Sequence, residues 1–230
     1  MAEHDLFPGK AFDAFLFDMD GTILTSIIAA ERVWTLWAQK HGLDVAKFLP
    51  TIHGVQTVET IRRQKLPGVD PVAEAHWITS RELEDTHGID PIPGAKAFLN
   101  SLPEDRWAIV TSASRPLALK RIQTAGLPMP KVLITAEDAP NGKPAPDCFL
   151  LGAQRLGFEA KNCAVFEDAP AGIKAGEAAG ASVVVITATH THEVDAPHPT
   201  TVPDYEALKA HRLPDGRLSI LCDDAPGMTG

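Results

Sequence analysis

Two aspartates, Asp18 and Asp20, stand two residues apart at the end of a short apolar run, FLFDMDGT, and are followed by Gly21 and Thr22. Further along come Thr111-Ser112 after WAIV, Lys143 in NGKP, and Glu167-Asp168 after CAVF. If the apolar runs are parallel strands of one sheet, these groups converge, because ligands of open parallel sheets bind beyond the carboxyl ends of the strands. Carboxylates gathered this closely repel: two unit charges about 4 Å apart cost roughly 4 kcal/mol at an effective dielectric near 20. A hard cation relieves that repulsion, and Mg²⁺ takes oxygen ligands while keeping several waters. Asp18, Asp20, Glu167 and Asp168 are therefore candidate metal ligands. Lys143 adds a fixed positive charge, so metal and lysine together can hold a phosphoryl group. The backbone N–H groups after Asp18 and after Ser112, the latter belonging to Ala113, can cradle its oxygens. Asp18 can then attack phosphorus and form an aspartyl phosphate. Asp20 can protonate the leaving alkoxide and afterwards activate water. That task needs a protonated Asp20. Crowding by carboxylates favours the proton, whereas metal and Lys143 oppose it, and at the level of sequence the balance stays open.

Each residue also has a plainer reading. Asp-Gly is a common turn dipeptide, Asp168 could cap a helix starting at Pro170, and Ser112 could end its strand as a cap. The catalytic reading rests on their joint placement at successive strand ends.

The elements that must position them follow from the apolar pattern. Residues 11–19 read as a buried parallel strand. From 107 onward strands (107–112, 131–136, 162–168, 182–187) alternate with helices (116–126, 146–157, 171–180), the pattern of right-handed βαβ units. Between them, residues 27 to about 88 keep a helical pattern, with a stop at Gly42 and breaks at 53–54 and 66–68, and Pro91 and Pro93 mark a stiff return. The fold class expected is α/β, a Rossmann-like doubly wound parallel sheet with a small inserted α-helical cap. Residues 1–24 and 91–230 form the core and 25–90 the cap. A short helix is expected near 205–211, an edge strand at 215–221, and loose residues after it. Trp34 and Trp37 are expected in the cap core, and Gly172, Gly176 and Gly180 at close helix–sheet packing.

The chain has 230 residues, 44% of them hydrophobic, and a formal net charge of -9, so nucleic acid and anionic membranes are poor partners. It also means that a phosphate site must supply its own positive charge. Three cysteines at wide spacing fit no disulfide framework and read as thiols in a reducing compartment. The N-terminus lacks a signal-peptide pattern and no apolar run suits a membrane helix, so a cytoplasmic location is expected. Nothing requires more than a monomer, with a dimer left open. The histidines 190, 192 and 198 lie in a polar Pro/Thr loop and read as solvated.

The run FDMDGTIL resembles the signature of the haloacid dehalogenase superfamily in its phosphatase branch, and Ser112, the lysine of GKPAPD and the acidic pair of FEDAPAGI complete the set in order. The stretches WAIVTSASRP, NGKPAPDCFLLGAQRLG and FEDAPAGIKAGEAAG resemble the sugar- and polyol-phosphate phosphatases of bacteria and yeast. The resemblance implies Asp18 as nucleophile and Asp20 as acid/base. It implies Mg²⁺ held by Asp18, the Asp20 carbonyl and Asp168 with Glu167 nearby, and Ser112 and Lys143 on the phosphoryl group. The substrate would be a small phosphorylated metabolite, a sugar or polyol phosphate. Thr25 stands where many capped relatives carry aspartate. In the cap, IHGVQT (52–57) resembles a specificity loop, which makes His53, Gln56 and Thr57 candidate substrate contacts; Arg115 is a fourth. The β-phosphoglucomutases carry an arginine where this chain has Thr57, which weakens a phosphosugar mutase, the first alternative. Dehalogenases lack the second aspartate. The cap lysines 40, 47 and 65 lie in no recognised Schiff-base context. The second alternative is a phospho-receiver-like signalling module. It is disfavoured because receivers phosphorylate an aspartate on a middle strand and carry no large insert.

Overall fold

The computed structural model describes residues 3–190, 198 and 200–223. In chain order, β1 (Glu3–Asp5), β2 (Ala14–Phe17) and β3 (Leu24–Thr25) lead into a helical insert of α1 (Ile27–Lys40), α2 (Val45–Phe48), α3 (Thr57–Arg63) and α4 (Pro71–Glu84). After β4 (Asp90–Pro91) come α5 (Ala95–Ser101), β5 (Trp107–Val110), α6 (Arg115–Thr124) and β6 (Val132–Ile134). Then follow α7 (Asp147–Leu156), β7 (Cys163–Glu167), α8 (Pro170–Ala178) and β8 (Ser182–Ile186). The described chain closes on β9 (Thr201–Val202), β10 (Leu208–Arg212) and β11 (Leu218–Asp223).

Six strands form one parallel sheet in the order β6-β5-β2-β7-β8-β9. Its strands are apolar on both faces because both faces are covered. In β2, Phe15 and Phe17 join the cluster under α5 and α6, while Ala14 and Leu16 join the cluster under α7 and α8. The same alternation holds in β5 and β7, so register alone decides which residue meets which layer. On the first face, Phe17 stacks on Phe166 with ring centroids 4.6 Å apart. Burying such a side chain contributes about 1.5–3 kcal/mol. This fixes β2 against β7 one residue before Asp18.

The insert has its own apolar cluster, including Trp34, Trp37, Phe48, Ile61 and Ile78. Asp70 starts α4 by accepting from Val72 N at 2.9 Å, with Pro71 at the first helical position. Glu74 then ties α4 to α1, accepting from Trp37 Nε1 at 2.8 Å and Lys40 Nζ at 2.9 Å. Chain entry and exit are paired, Leu24 opposite Pro91 and Thr25 opposite Asp90, as a two-stranded ribbon.

Three expectations need correction. Residues 208–212 are a strand, β10, not a helix: pairing with β11 overrides the local helical preference of EALKAH. β11 is the middle strand of the antiparallel sheet β1-β11-β10, not an edge, because the N-terminal β1 covers its other side. Gly176 lies against Val165 and Val183, and Gly172 against the Glu167 side chain at the end of β7, as expected, but Gly180, at φ +79, lies at the left-handed turn just beyond α8. The expected loose residues 224–230 lie outside the described residues. No helix among the described residues is long and apolar enough to cross a membrane.

Asp138, on the loop after β6, ties together α6, α7 and its own loop. Its Oδ2 accepts from Thr135 N at 2.9 Å, Thr135 Oγ1 at 2.8 Å and Arg115 Nη2 at 2.7 Å, and its Oδ1 from Arg155 Nη2 at 3.0 Å. Burial by itself would raise this carboxyl, but the Thr135 donors and the arginines outweigh it and hold it at about 2. A depressed folded value stabilises above the ordinary value of 3.8, and the benefit is lost as pH falls toward 2. Asp138→Asn should therefore lower stability at neutral pH by about 1–2 kcal/mol. Urea unfolding across pH should show the gap from wild type closing between pH 4 and 2.

Candidate active site

Asp18 begins the loop beyond β2, Glu167 ends β7, Asp168 follows it, and Lys143 lies on the loop between β6 and α7. The Lys143 ammonium donates to Asp18 Oδ1, to Glu167 Oε1 at 2.8 Å and to the Val110 carbonyl of β5 at 3.2 Å. Lys143 is only 4% exposed and Glu167 fully buried. Burial opposes the ammonium's charge, but Asp18 and Glu167 reverse the effect and hold its pKa above the ordinary value. The other Glu167 oxygen accepts from the N–H groups of Asp168 at 2.7 Å and Ala169 at 2.8 Å. Both Glu167 oxygens are thus engaged, one placing Lys143 and the other shaping the loop of Asp168.

The Thr22 hydroxyl stands 3.1 Å from Asp168 Oδ1 and 3.4 Å from Asp18 Oδ2. Gly21 is required beneath them: it has φ +87, and a Cβ there would lie 2.0 Å from Asp168 Oδ2. Asp168 turns toward Thr22 and does not cap α8; the N-cap position is held by Ala169, which makes no side-chain cap. Oxygens of Asp18, Glu167 and Asp168 all lie within 4.8 Å of one another. Burial pushes the Asp18 carboxyl up to about 8 against the pull of Lys143. Asp168 is pushed up by burial and by the charges of Glu167 and Asp18. One ammonium faces three carboxyl groups, and burial favours protons on Asp18 and Asp168 in place of charge. An all-oxygen donor set of this kind fits a hard divalent cation, which Asp18 and Asp168 would hold in exchange for those protons.

Asp20 points elsewhere. Its Oδ1 accepts from Ser26 Oγ at 2.5 Å and from Arg121 Nη1 at 2.9 Å. Ser26 opens α1 without a cap bond to that helix, since its hydroxyl serves Asp20. Arg121 Nη2 reaches Glu82 Oε1 on α4 at 3.2 Å. Sequence reading missed Ser26, Arg121 and Glu82. The available signal was a charge on an apolar helix face: Arg121 follows buried Leu117 by four positions, and Glu82 follows buried Ile78 by four.

A cavity of about 1500 Å³ opens over these groups, with Asp18, Asp20, Ser112, Ala113 and Asp168 from the core and Glu31, Trp34, Leu49, His53 and Thr57 from the insert in its lining. The Ser112 hydroxyl donates to the Gly54 carbonyl of the insert at 3.2 Å, and Ala113 N donates to Thr111 Oγ1 at 3.0 Å. His53 Nε2 lies 3.6 Å from Glu31 Oε1, so a second acid joins the wall. Two proposed contacts are not brought in. Arg115 is held outside by Asp138 and the Leu133 carbonyl, and the Gln56 amide crosses to the Ala136 carbonyl at 3.3 Å. Conversely, His190 is not simply solvated. Because β8 lies beside β7, the chain beyond it brings His190 Nε2 to 2.8 Å from the Asp168 carbonyl, in the cavity lining. His198 also lines the cavity, 3.7 Å from Glu177; His192 lies outside the described residues.

The haloacid dehalogenase-like hydrolase family matches residues 12–180, the span that holds every one of these core groups from Asp18 to Asp168. The chain belongs to that family. Hexitol phosphatase A of Escherichia coli is 46% identical over 214 residues, covering 90% of this chain and 97% of the relative. The 2-deoxyglucose-6-phosphate phosphatase 1 of Saccharomyces cerevisiae is 37% identical over 205 residues, covering 79% and 82%. Among solved structures, a β-phosphoglucomutase from Clostridium difficile superposes with a TM-score of 0.68 at 26% identity, covering 76% of this chain and 84% of its own. The chain is a hydrolase whose relatives over most of its length are phosphatases.

The acidic cluster generates a test. A divalent cation should raise the melting temperature of the wild type, by the equivalent of about 2.7 kcal/mol at a hundredfold excess over Kd. Asp168→Asn should lose that increment. Without metal it should melt no lower than wild type, because it removes a carboxyl whose ionisation burial, Glu167 and Asp18 already oppose. Thermal unfolding with and without MgCl₂ reads both.

Proposed function

We propose that the chain is a Mg²⁺-dependent phosphomonoesterase that hydrolyses small sugar or polyol phosphates through an aspartyl phosphate on Asp18. The observation that carries this reading is the pairing of Asp18 and Asp20 on one cavity, with Lys143 bound to the first and the second turned away from the acidic cluster. An Asp18 oxygen attacks phosphorus as the bond to the leaving oxygen breaks, and that oxygen takes a proton from Asp20. Water then attacks the phosphoryl group, giving its proton to the Asp20 carboxylate, and phosphate leaves with Asp18 restored. Mg²⁺, held by Asp18, Asp168 and the Asp20 carbonyl, would neutralise charge on the phosphoryl oxygens. Lys143 adds a positive charge beside the nucleophile, and Ser112 and Ala113 line the same cavity. The three widely spaced cysteines, which offer no disulfide framework, support a reducing, cytoplasmic setting.

The wall over this floor favours hydrolysis over a mutase. Among the described residues, the insert lines the cavity with no lysine or arginine and contributes Glu31 and Glu82. A second phosphate seated against the insert would meet no lysine or arginine there, since Arg121 and Lys174 of the lining belong to the core; a neutral polyhydroxy chain donates to the insert's carboxylates instead. The relatives named for hexitol and 2-deoxyglucose-6-phosphate phosphatase activity fit that preference.

A panel of sugar and polyol monophosphates with Mg²⁺ should release phosphate, and Asp18→Asn should lower the rate at least ~10³-fold. Wild type and Asp18→Asn releasing equally little from every member would overturn the proposal. Isomerised phosphosugar as the product would make the protein a mutase, and an aspartyl phosphate persisting for hours would make it a signalling module.

A further inference from the structure

Asp20 is gripped from one side only. Both of its donors, Ser26 Oγ at 2.5 Å and Arg121 Nη1 at 2.9 Å, take the same oxygen, Oδ1. Among the described residues, Oδ2 has no hydrogen-bond donor. Arg121 itself is unusual in position. It rises from α6 of the core with a side chain 7% exposed, and its other terminal nitrogen, Nη2, donates to Glu82, whose side chain is 4% exposed on α4 of the insert. Its Nε–H is buried without a partner. All four residues line the cavity over Asp18.

A guanidinium presents its donors in a rigid planar fork, so where it is held at one end it directs the other. A buried arginine is costly unless its charge is met by well-placed carboxylates. Here one is supplied by the core loop and the other by the insert, so the arrangement is complete only when α4 is seated against α6. We infer that Arg121 is a positioning residue for Asp20. With Ser26 it fixes Oδ1 so that Oδ2 carries the proton to the leaving oxygen, and Glu82 makes that grip depend on the seating of the insert. The inference rests on the phosphatase reading, in which Asp20 is the acid.

A residue that only supports the fold would affect all substrates alike. A residue that aims a general acid matters in proportion to the basicity of the leaving group. The readout is kcat/KM, which covers the steps through departure of the alcohol and excludes hydrolysis of the aspartyl phosphate. The probes are 4-nitrophenyl phosphate, phenyl phosphate and sorbitol 6-phosphate, in order of increasing leaving-group basicity. Positioned general acids contribute roughly 10²–10⁴-fold. Arg121→Met should accordingly lose less than about 3-fold on the first probe and about 10- to 100-fold on the last. Arg121→Lys, which keeps charge but lacks the fork, should show the same trend more weakly, as should Glu82→Gln. If Arg121→Met does not fold with two carboxylates unpaired, Arg121→Met/Glu82→Gln removes one of them and should show the same trend. Equal losses on all three probes, or none, overturn the inference; an unchanged series in Glu82→Gln overturns its link to the insert. Asp20→Asn separates the two levels. If its losses do not grow along the series, the phosphatase reading of Asp20 fails; if they grow while those of the Arg121 variants stay level, only this inference fails.

Discussion

A single buried ammonium, that of Lys143, joins the ends of three adjacent strands. It meets Asp18 beyond β2, Glu167 at the end of β7 and the Val110 carbonyl at the end of β5. These strands neighbour one another in the sheet order, so their carboxyl ends come within reach of one side chain. The loop after β6 must return across β5 to deliver it. Removing one partner from such a buried set costs about 3–5 kcal/mol, since it strands the remaining charge. The surrounding sequence is arranged around that constraint. Gly172 clears the place of the Glu167 carboxylate, where a Cβ would fall 1.5 Å from Oε1. The N–H groups of Asp168 and Ala169 satisfy its second oxygen. The strain of gathering acids is thus confined to Asp18 and Asp168, the two that face the cavity.

The insert is joined to the core on different terms. Its large apolar side chains pack on one another, in a cluster separate from the two that cover the sheet. Across the cavity its contacts are polar: Ser112 to the Gly54 carbonyl, Gln56 to the Ala136 carbonyl, Arg121 to Glu82. A net hydrogen bond contributes about 1 kcal/mol because water competes for both partners. The joint between the two parts is therefore weaker than either part, and the β3–β4 ribbon is what keeps them in register. Two of the three contacts, those of Ser112 and Arg121, also involve residues in the cavity lining.

The site was legible where chemistry dictates residue type and the chain states its own strand ends. Asp18, Lys143, Glu167 and Asp168 each lie after an apolar run, and period and composition were enough to align those runs. The parallel sheet was legible for the same reason, since strands covered on both faces read as unbroken apolar segments. Arg121 and Glu82 were not, because their partners lie 101 and 39 residues away and nothing local announces a charge pair inside a helix. Arg115 illustrates the converse: it was a candidate substrate contact, but the first turn of α6 aims it at Asp138. The strand β10 was hidden because its stability comes from β11, which a local helical pattern cannot show. His190 was hidden likewise, its place fixed by the adjacency of β7 and β8.

Electrostatics links the two parts. A chain with a formal net charge of -9 repels an approaching anion at long range, though salt limits that field to about 10 Å. Inside the cavity the sign of the charge differs between the two sides. The insert wall carries Glu31 and Glu82, whereas the core side carries Arg121 and Lys174, with Lys143 bound to Asp18 behind the lining. The part of a ligand that meets the insert wall is therefore favoured where it is neutral or a hydrogen-bond donor. Burial raises the pKa of Glu82, and Arg121 opposes that rise, so the wall's negative character depends on the same guanidinium that grips Asp20. The insert wall and Asp20 thus share one side chain, that of Arg121.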